Sequence, residues 1–287
     1  MVAEKMETRC IFSVDVEDWF HILELSSAPD FRQWDAQLSL VERNFYHLLD
    51  IFDEAGARVT CFFLGWVVEK FPRLVRDASQ RGHEIASHGY AHRLCYELGP
   101  TDFVADIVRA RKVTEDALGG PVRGYRAPGF SVTDETPWFF DKLAYAGFKY
   151  DSSVFPAPRQ HGGLIAAKCA PYLVETPHGQ VVEFPISVVK PMGLAMCFFG
   201  GGYLRLFPYL LMRKMGHRVL SEGRPLIFYV HPREIDPSHP RIPMGLARHF
   251  RSYIGLGGTQ SKIERLLRDF RVSTFEQYLL QENKLDS

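Results

Sequence analysis

Residues 58–92 read RVTCFFLGWVVEKFPRLVRDASQRGHEIASHGYAH. Arg58–Leu64 is β-branched and aromatic, the composition of a strand. Pro72–Arg81 reads as a helix, with Pro72 near its start and Gly82 just past its end. His83–Ala86 is a second short strand, and the polar segment SHGYAH follows it directly. Strand, helix and strand joined by short links imply parallel pairing and a right-handed crossover. The pattern extends in both directions. Upstream, Cys10–Val14 is an apolar run that ends in carboxylates, as a buried parallel strand would. Leu38–Ala55 has apolar residues at helical spacing, with Gly56 as its stop. Downstream, Thr101–Leu118 is a helix with Thr101 as N-cap and Gly119–Gly120 beyond its end. Val122–Arg126 is a strand, Asp134–Ala146 a helix and Phe148–Tyr150 another strand.

After Phe155 the alternation loosens. Tyr172–Glu175 and Gln180–Phe184 form a hairpin around Pro177-His178-Gly179. Gly200–Gly202 precedes a helix near Tyr203–Leu220, and Pro225–Val230 is an apolar strand ending at His231. The tail holds a helix near Ser261–Phe270 and another from about Thr274. The expected fold is therefore α/β, a single domain over 1–287. Its barrel spans about 10–235, and a helical extension, about 236–287, packs on it. The polar clusters all fall just after strands, which in a parallel barrel gathers them on one rim.

Composition narrows the function. The chain has 287 residues, 46% hydrophobic and 24% charged, the balance of a globular protein. Its 34 basic and 34 acidic residues cancel, so no overall field attracts nucleic acid and no nucleic-acid partner is expected. Five dispersed cysteines without a CxxC pair argue against a disulfide framework or a thiolate zinc site. No long apolar segment opens the sequence and none is long enough to span a bilayer. The expectation is a cytoplasmic protein, with membrane association only through exposed aromatics. The oligomeric state is not readable from the sequence.

Five clusters carry chemistry. His88 and His92 are four apart, a spacing that on a helical turn lets both reach one ion. Asp15, Glu17 and Asp18 crowd three carboxylates at a strand end, where a divalent cation would relieve repulsion and desolvation. Arg126, also at a strand end, can grip a carboxylate in a two-pronged contact. Asp151 offers a further carboxylate, and His231 closes the set. Each has a bland reading: a surface helix pair, a solvated acidic loop, an ordinary surface arginine, a turn, a structural histidine. Their common position after strands favours a shared site.

Taken in order, these clusters resemble the NodB-homology polysaccharide deacetylases, carbohydrate esterase family four. The nearest branch is the one grouped with exosortase-type exopolysaccharide loci. SVDVEDW stands at the family's paired-carboxylate motif, and SHGYAH matches its metal motif with Gly89 in place of the usual Ser or Thr. YRAPGFS, YDSS and FYVHP match the remaining three. The resemblance covers about residues 10–235. It implies a distorted (β/α) barrel and a divalent metal, zinc, held by His88, His92 and either Glu17 or Asp18. It also implies Asp15 as base held by Arg126, a backbone N–H near Tyr125–Arg126 or Asp151 at the oxyanion, and His231 as acid oriented by Asp151. Tyr125, Pro128 and Trp19 would contact an N-acetylated glycan. The rival expectations are an allantoinase-like hydrolase of a small cyclic amide and an inactive carbohydrate-binding protein.

Overall fold

The strand and helix alternation is what the chain builds. The computed structural model describes residues 10–159 and 162–282. Its first half runs β1 (Cys10–Val16), α1 (Val41–Glu54), β2 (Thr60–Phe63), α2 (Gly65–Lys70), α3 (Pro72–Gln80), β3 (Glu84–Ser87), α4 (Cys95–Leu118), β4 (Gly124–Tyr125), α5 (Phe139–Tyr145) and β5 (Tyr150–Asp151). Next come the hairpin β6 (Tyr172–Thr176) and β7 (Gly179–Glu183), and the short pair β8 (Val188–Val189) and β9 (Met196–Cys197). The chain ends with α6 (Gly201–Leu206), α7 (Tyr209–Ser221), β10 (Leu226–Val230), α8 (Leu246–Tyr253), α9 (Thr259–Asp269), β11 (Val272–Ser273) and α10 (Phe275–Gln281).

The main sheet has the order β10-β1-β2-β3-β4-β5-β7-β6, with β11 added on β1. Its strands are parallel except in the β6–β7 hairpin. It curls into a half-barrel, so the distorted barrel is the architecture found. Between β7 and β10 the ring is completed by side chains: Ser187 Oγ donates to Pro225 O at 3.1 Å and accepts from Ile227 N at 2.9 Å.

Alternate residues of a strand face opposite sides of its sheet, and here the two sides have different cores. Ile11, Phe62, Ala86, Tyr150, Val182, Ile227 and Tyr229 fill the lumen. Their neighbours Phe12, Val14, Cys61, Phe63, Phe228 and Val230 pack outward under the helices. One end of the lumen is plugged by the C-terminus. β11 pairs with β1, and Phe275, Tyr278 and Leu279 of α10 join the inner core. Burial of each such side chain contributes roughly 1.5–3 kcal/mol. The C-terminal segment thus closes the barrel rather than only packing on it.

Three boundaries differ from the sequence reading for local reasons. α5 starts at Phe139 because the Thr136 hydroxyl folds back on Thr133, donating to its carbonyl and accepting from its N–H. α4 already begins at Cys95, with a break at Gly99 (φ 67°, ψ 173°) before Pro100, so Thr101 is not its cap. The helix expected near Tyr203–Leu220 divides into α6 and α7 at Pro208, which lacks an amide hydrogen to continue the ladder.

Candidate active site

At the open end of the lumen each strand contributes its last inward positions. On β1 the inward series is Ile11, Ser13 and Asp15, with Glu17 just beyond. β3 leads through Ala86 to His88, β4 to Arg126, and β10 through Ile227 and Tyr229 to His231. Arg126 is fully buried. Its guanidinium donates to Asp15 Oδ1 at 2.7 Å, Ser13 Oγ at 2.8 Å and Ser152 O at 3.1 Å, and it lies 4.1 Å above the Phe62 ring. A buried cation needs such a complete set of partners, and this set fixes the Asp15 carboxylate.

Glu17, His88 and His92 present donor atoms that all lie within 4.8 Å of one another, and all three residues are buried. The histidines do not share a helical turn, as their spacing suggested. They stand in a loop before α4, which turns through Gly89 (φ 73°) and His92 (φ 51°). The Asp106 carboxylate ties this loop down, accepting from Tyr90 N at 2.7 Å and Ala91 N at 3.2 Å. His88 Nδ1 lies 2.8 Å from Arg126 O. A carbonyl can only accept, so Nδ1 carries the hydrogen and Nε2 presents its lone pair to the site. Burial and the repulsion of His92, against the pull of nearby carboxylates, bring the His88 pKa down to about 4, leaving the neutral ligand form. Burial pushes Glu17 upward, but His92 and His231 together hold it well below the usual carboxylate range. Two imidazoles and a carboxylate suit a divalent metal with open coordination positions.

Asp18 is not part of this group. Its carboxylate accepts from Trp19 N (2.8 Å), Ser39 Oγ (2.5 Å), Leu40 N (3.0 Å) and Val41 N (3.2 Å), capping the entry to α1. Of the two candidates, the fold brings Glu17 to the histidines.

His231 Nε2 lies 3.4 Å from Glu17 Oε1 and 3.8 Å from Asp15 Oδ2. Its Nδ1 faces Glu234 Oε1 at 3.6 Å, and Glu234 is itself paired with Arg205 at 3.2 Å. Burial alone would lower the His231 pKa, but Glu17, Glu234 and Asp15 together raise it. The acid that faces His231 Nδ1 is therefore Glu234, not the expected Asp151. β5 turns Tyr150 into the lumen, which sends Asp151 to the other face. There it accepts from Ser153 Oγ at 2.6 Å and Ser153 N at 3.0 Å, and stands in register with Glu183. Burial raises both acids, Asp151 to about 6 and Glu183 well above its ordinary value. Glu234 was legible as the acid three residues after His231, the spacing of a capping box. It sits in the short 3-10 turn Pro232–Ile235.

A cavity of about 670 Å³ opens over Asp15, Glu17, His88, His92 and His231. Trp19, Tyr125 and Pro128 do not line it, contrary to expectation. Tyr125 has the outward parity of β4 and packs against Phe103, Phe139 and Phe148. Trp19 is buried, donating from Nε1 to Leu38 O at 2.9 Å, and Pro128 is buried in a short 3-10 turn. The Arg126 N–H donates to Ser87 O at 2.9 Å, so it is not an oxyanion donor. The walls include the aromatic residues Phe130 and Tyr203, and His21. His21 accepts from Asp18 N through Nδ1 at 3.0 Å, leaving its buried Nε2 without a partner among the described residues.

The polysaccharide deacetylase profile matches residues 34–150. That segment, about two-fifths of the chain, is similar to the polysaccharide deacetylase family. Residues 152–280 match a second profile, described only as a domain of unknown function, DUF3473, although four of its strands, β6, β7, β10 and β11, belong to the same sheet. A peptidoglycan deacetylase-like protein of Gibberella zeae is 33% identical over 109 residues, 37% of this chain and 31% of that protein. A peptidoglycan-N-acetylglucosamine deacetylase of Bacillus cereus is 25% identical over 92 residues, 32% of this chain and 34% of that protein. The chain thus matches about a third of the length of these curated relatives. A Mycobacterium smegmatis structure assigned to the polysaccharide deacetylases shares the fold. It has a TM-score of 0.63 and 20% identity, covering 97% of this chain and 92% of that one.

Proposed function

We propose that this chain is a metal-dependent N-deacetylase that hydrolyses the acetamide of an amino-sugar glycan. What carries the reading is the meeting, in one cavity, of the Glu17–His88–His92 donor set with the Asp15–Arg126 and His231–Glu234 pairs. The donor set suits zinc, which when bound supplies carbonyl polarisation and an acidified water. Asp15, fixed by Arg126, takes the proton as water adds to the acetyl carbon. His231, oriented by Glu234, gives a proton to the sugar nitrogen as the C–N bond breaks. Acetate and a free amino sugar leave. The relatives named for peptidoglycan deacetylation support an N-acetylglucosamine-like unit, and the resemblance to the exosortase-type branch supports an exopolysaccharide as the glycan.

The cavity is roomier than a small cyclic amide requires, which weighs against the allantoinase-like reading. The complete proton-transfer set weighs against a binding-only protein. The test is acetate release from N-acetylated chito-oligosaccharides by the protein as purified, after chelation, and after zinc or cobalt is restored. Metal-dependent release, abolished in Asp15→Asn and His88→Ala, is the expected result. Metal bound without release would move the substrate to another amide. Neither binding nor release would reject the enzyme.

A further inference from the structure

The chain is neutral overall, yet the cavity is not. Five arginines line it: Arg159, Arg205, Arg233, Arg248 and Arg251. Three carboxylates also line it, and each already has a basic partner: Asp15 with Arg126, Glu17 with His92, and Glu234 with Arg205. Among the described residues no carboxylate lies at ion-pair distance from the other four arginines, although Arg233 is close enough to Glu17 and Glu234 to favour their charged forms. Among the described residues Arg248 donates to the backbone carbonyls of Leu23 and Glu24, which anchor it without neutralising it. Arg159 and Arg233 each have a buried Nη1 with no hydrogen-bond partner among the described residues.

A guanidinium nitrogen removed from water without a partner is costly, by several kcal/mol for an uncompensated charge. A fold keeps such groups where a ligand completes them. Arg159 is the clearest case. Its guanidinium lies 4.7 Å from the Phe130 ring and 5.0 Å from the Phe155 ring. Contact with the two rings restrains the guanidinium, and its unpartnered Nη1 is left for an anion to complete. Neutral hydroxyls can accept from one such group but cannot balance four cations in one partly desolvated space.

We propose that the cavity is built for an anionic glycan. On this reading, which rests on the deacetylase function, a carboxylate or phosphate on or beside the acetylated sugar pairs with Arg159, and Arg233, Arg248 and Arg251 supply the surrounding positive field. Arg159 is then a specificity-determining residue rather than a catalytic one.

The test compares kcat/KM and equilibrium binding for two pairs of probes. One pair is a neutral N-acetylglucosamine tetrasaccharide and a hyaluronan tetrasaccharide, in which glucuronate alternates with N-acetylglucosamine. The other is N-acetylglucosamine and its 1-phosphate. The expected result is at least about tenfold preference for an acidic probe, falling as salt screens the cavity. It should fall most in Arg159→Gln and partly return in Arg159→Lys. Preference in the first pair assigns a uronate, and preference in the second a phosphate. Equal treatment of acidic and neutral probes, or a preference unchanged in Arg159→Gln, overturns the proposal. If Arg159→Gln does not fold, Arg251→Gln on the exposed rim replaces it, with the same two outcomes. If no probe releases acetate, the deacetylase reading fails, and binding alone decides whether the cavity selects anions.

Discussion

Glu17 and Asp18 are adjacent, chemically alike and both buried, yet they do different work. Glu17 faces His88 and His92, whereas Asp18 satisfies the amides that open α1. Glu17→Ala should therefore lose stoichiometric metal. Asp18→Ala should keep the metal but lower stability by about 1–3 kcal/mol, the loss of a buried cap. Metal analysis and denaturant unfolding of the two variants check this; metal lost in Asp18→Ala and kept in Glu17→Ala would reverse the assignment. Gly89 is constrained in another way. Its φ of 73° is a left-handed conformation, and a Cβ there would sit 2.9 Å from Asp106 Oδ2. Gly89→Ala should cost about 1–3 kcal/mol. It should also weaken metal binding, because the Asp106-held loop carries His92. An alanine variant with full metal affinity would show that the loop tolerates the strain.

At the scale of the element, strand parity decides membership of the site. A shift of one residue moves a side chain to the opposite face of a sheet. Arg126 and Tyr125 are neighbours, and only Arg126 enters the lumen. Tyr150 points inward, so Asp151 points away. His231 continues the inward series of β10, and the turn after it returns Glu234 to its ring. Glu234→Gln is expected to lower kcat about 10- to 100-fold, as loss of an orienting carboxylate does, and to move the pH profile of kcat. Asp151→Asn should leave that profile in place. Steady-state kinetics across pH separates the two, and a profile shifted by Asp151→Asn alone would restore it as the partner.

Across the whole molecule the barrel has a reactive end and a plugged end, and the plug contains its own titrating group. Glu84, inward on β3, accepts from Thr60 Oγ1 (2.5 Å), Tyr150 Oη (2.6 Å) and Glu276 N (3.2 Å). Burial outweighs these bonds and raises its pKa from 4.5 to about 7. The folded state then holds the proton more tightly than the unfolded one. Its stabilising contribution is complete below pH 4.5 and is lost as pH rises through about 7. Over that window the wild type should lose about 3 kcal/mol more stability than Glu84→Gln. Urea unfolding at both ends of the window tests this, and a pH-independent difference would mean that Glu84 is ionised in the fold.

What the sequence determined by itself was local or periodic. Strand and helix alternation, Pro72 and Gly82 around α3, and polar groups after each inner strand were enough for a parallel barrel with its polar groups on one rim. The inward series Ile11, Ser13, Asp15 was visible in principle as a period of two, and would have excluded Tyr125 and Asp151 once Arg126 was taken as inward. Only the tertiary structure decided which of Glu17 and Asp18 meets the histidines and that a loop, not a helix, delivers His92. It also decided that Glu234 faces His231, that α10 fills the closed end, and that arginines from distant segments share one cavity. Spacing along a chain fixes which residues share a face. Packing against segments hundreds of residues away decides which face is inside, and no local pattern records that choice.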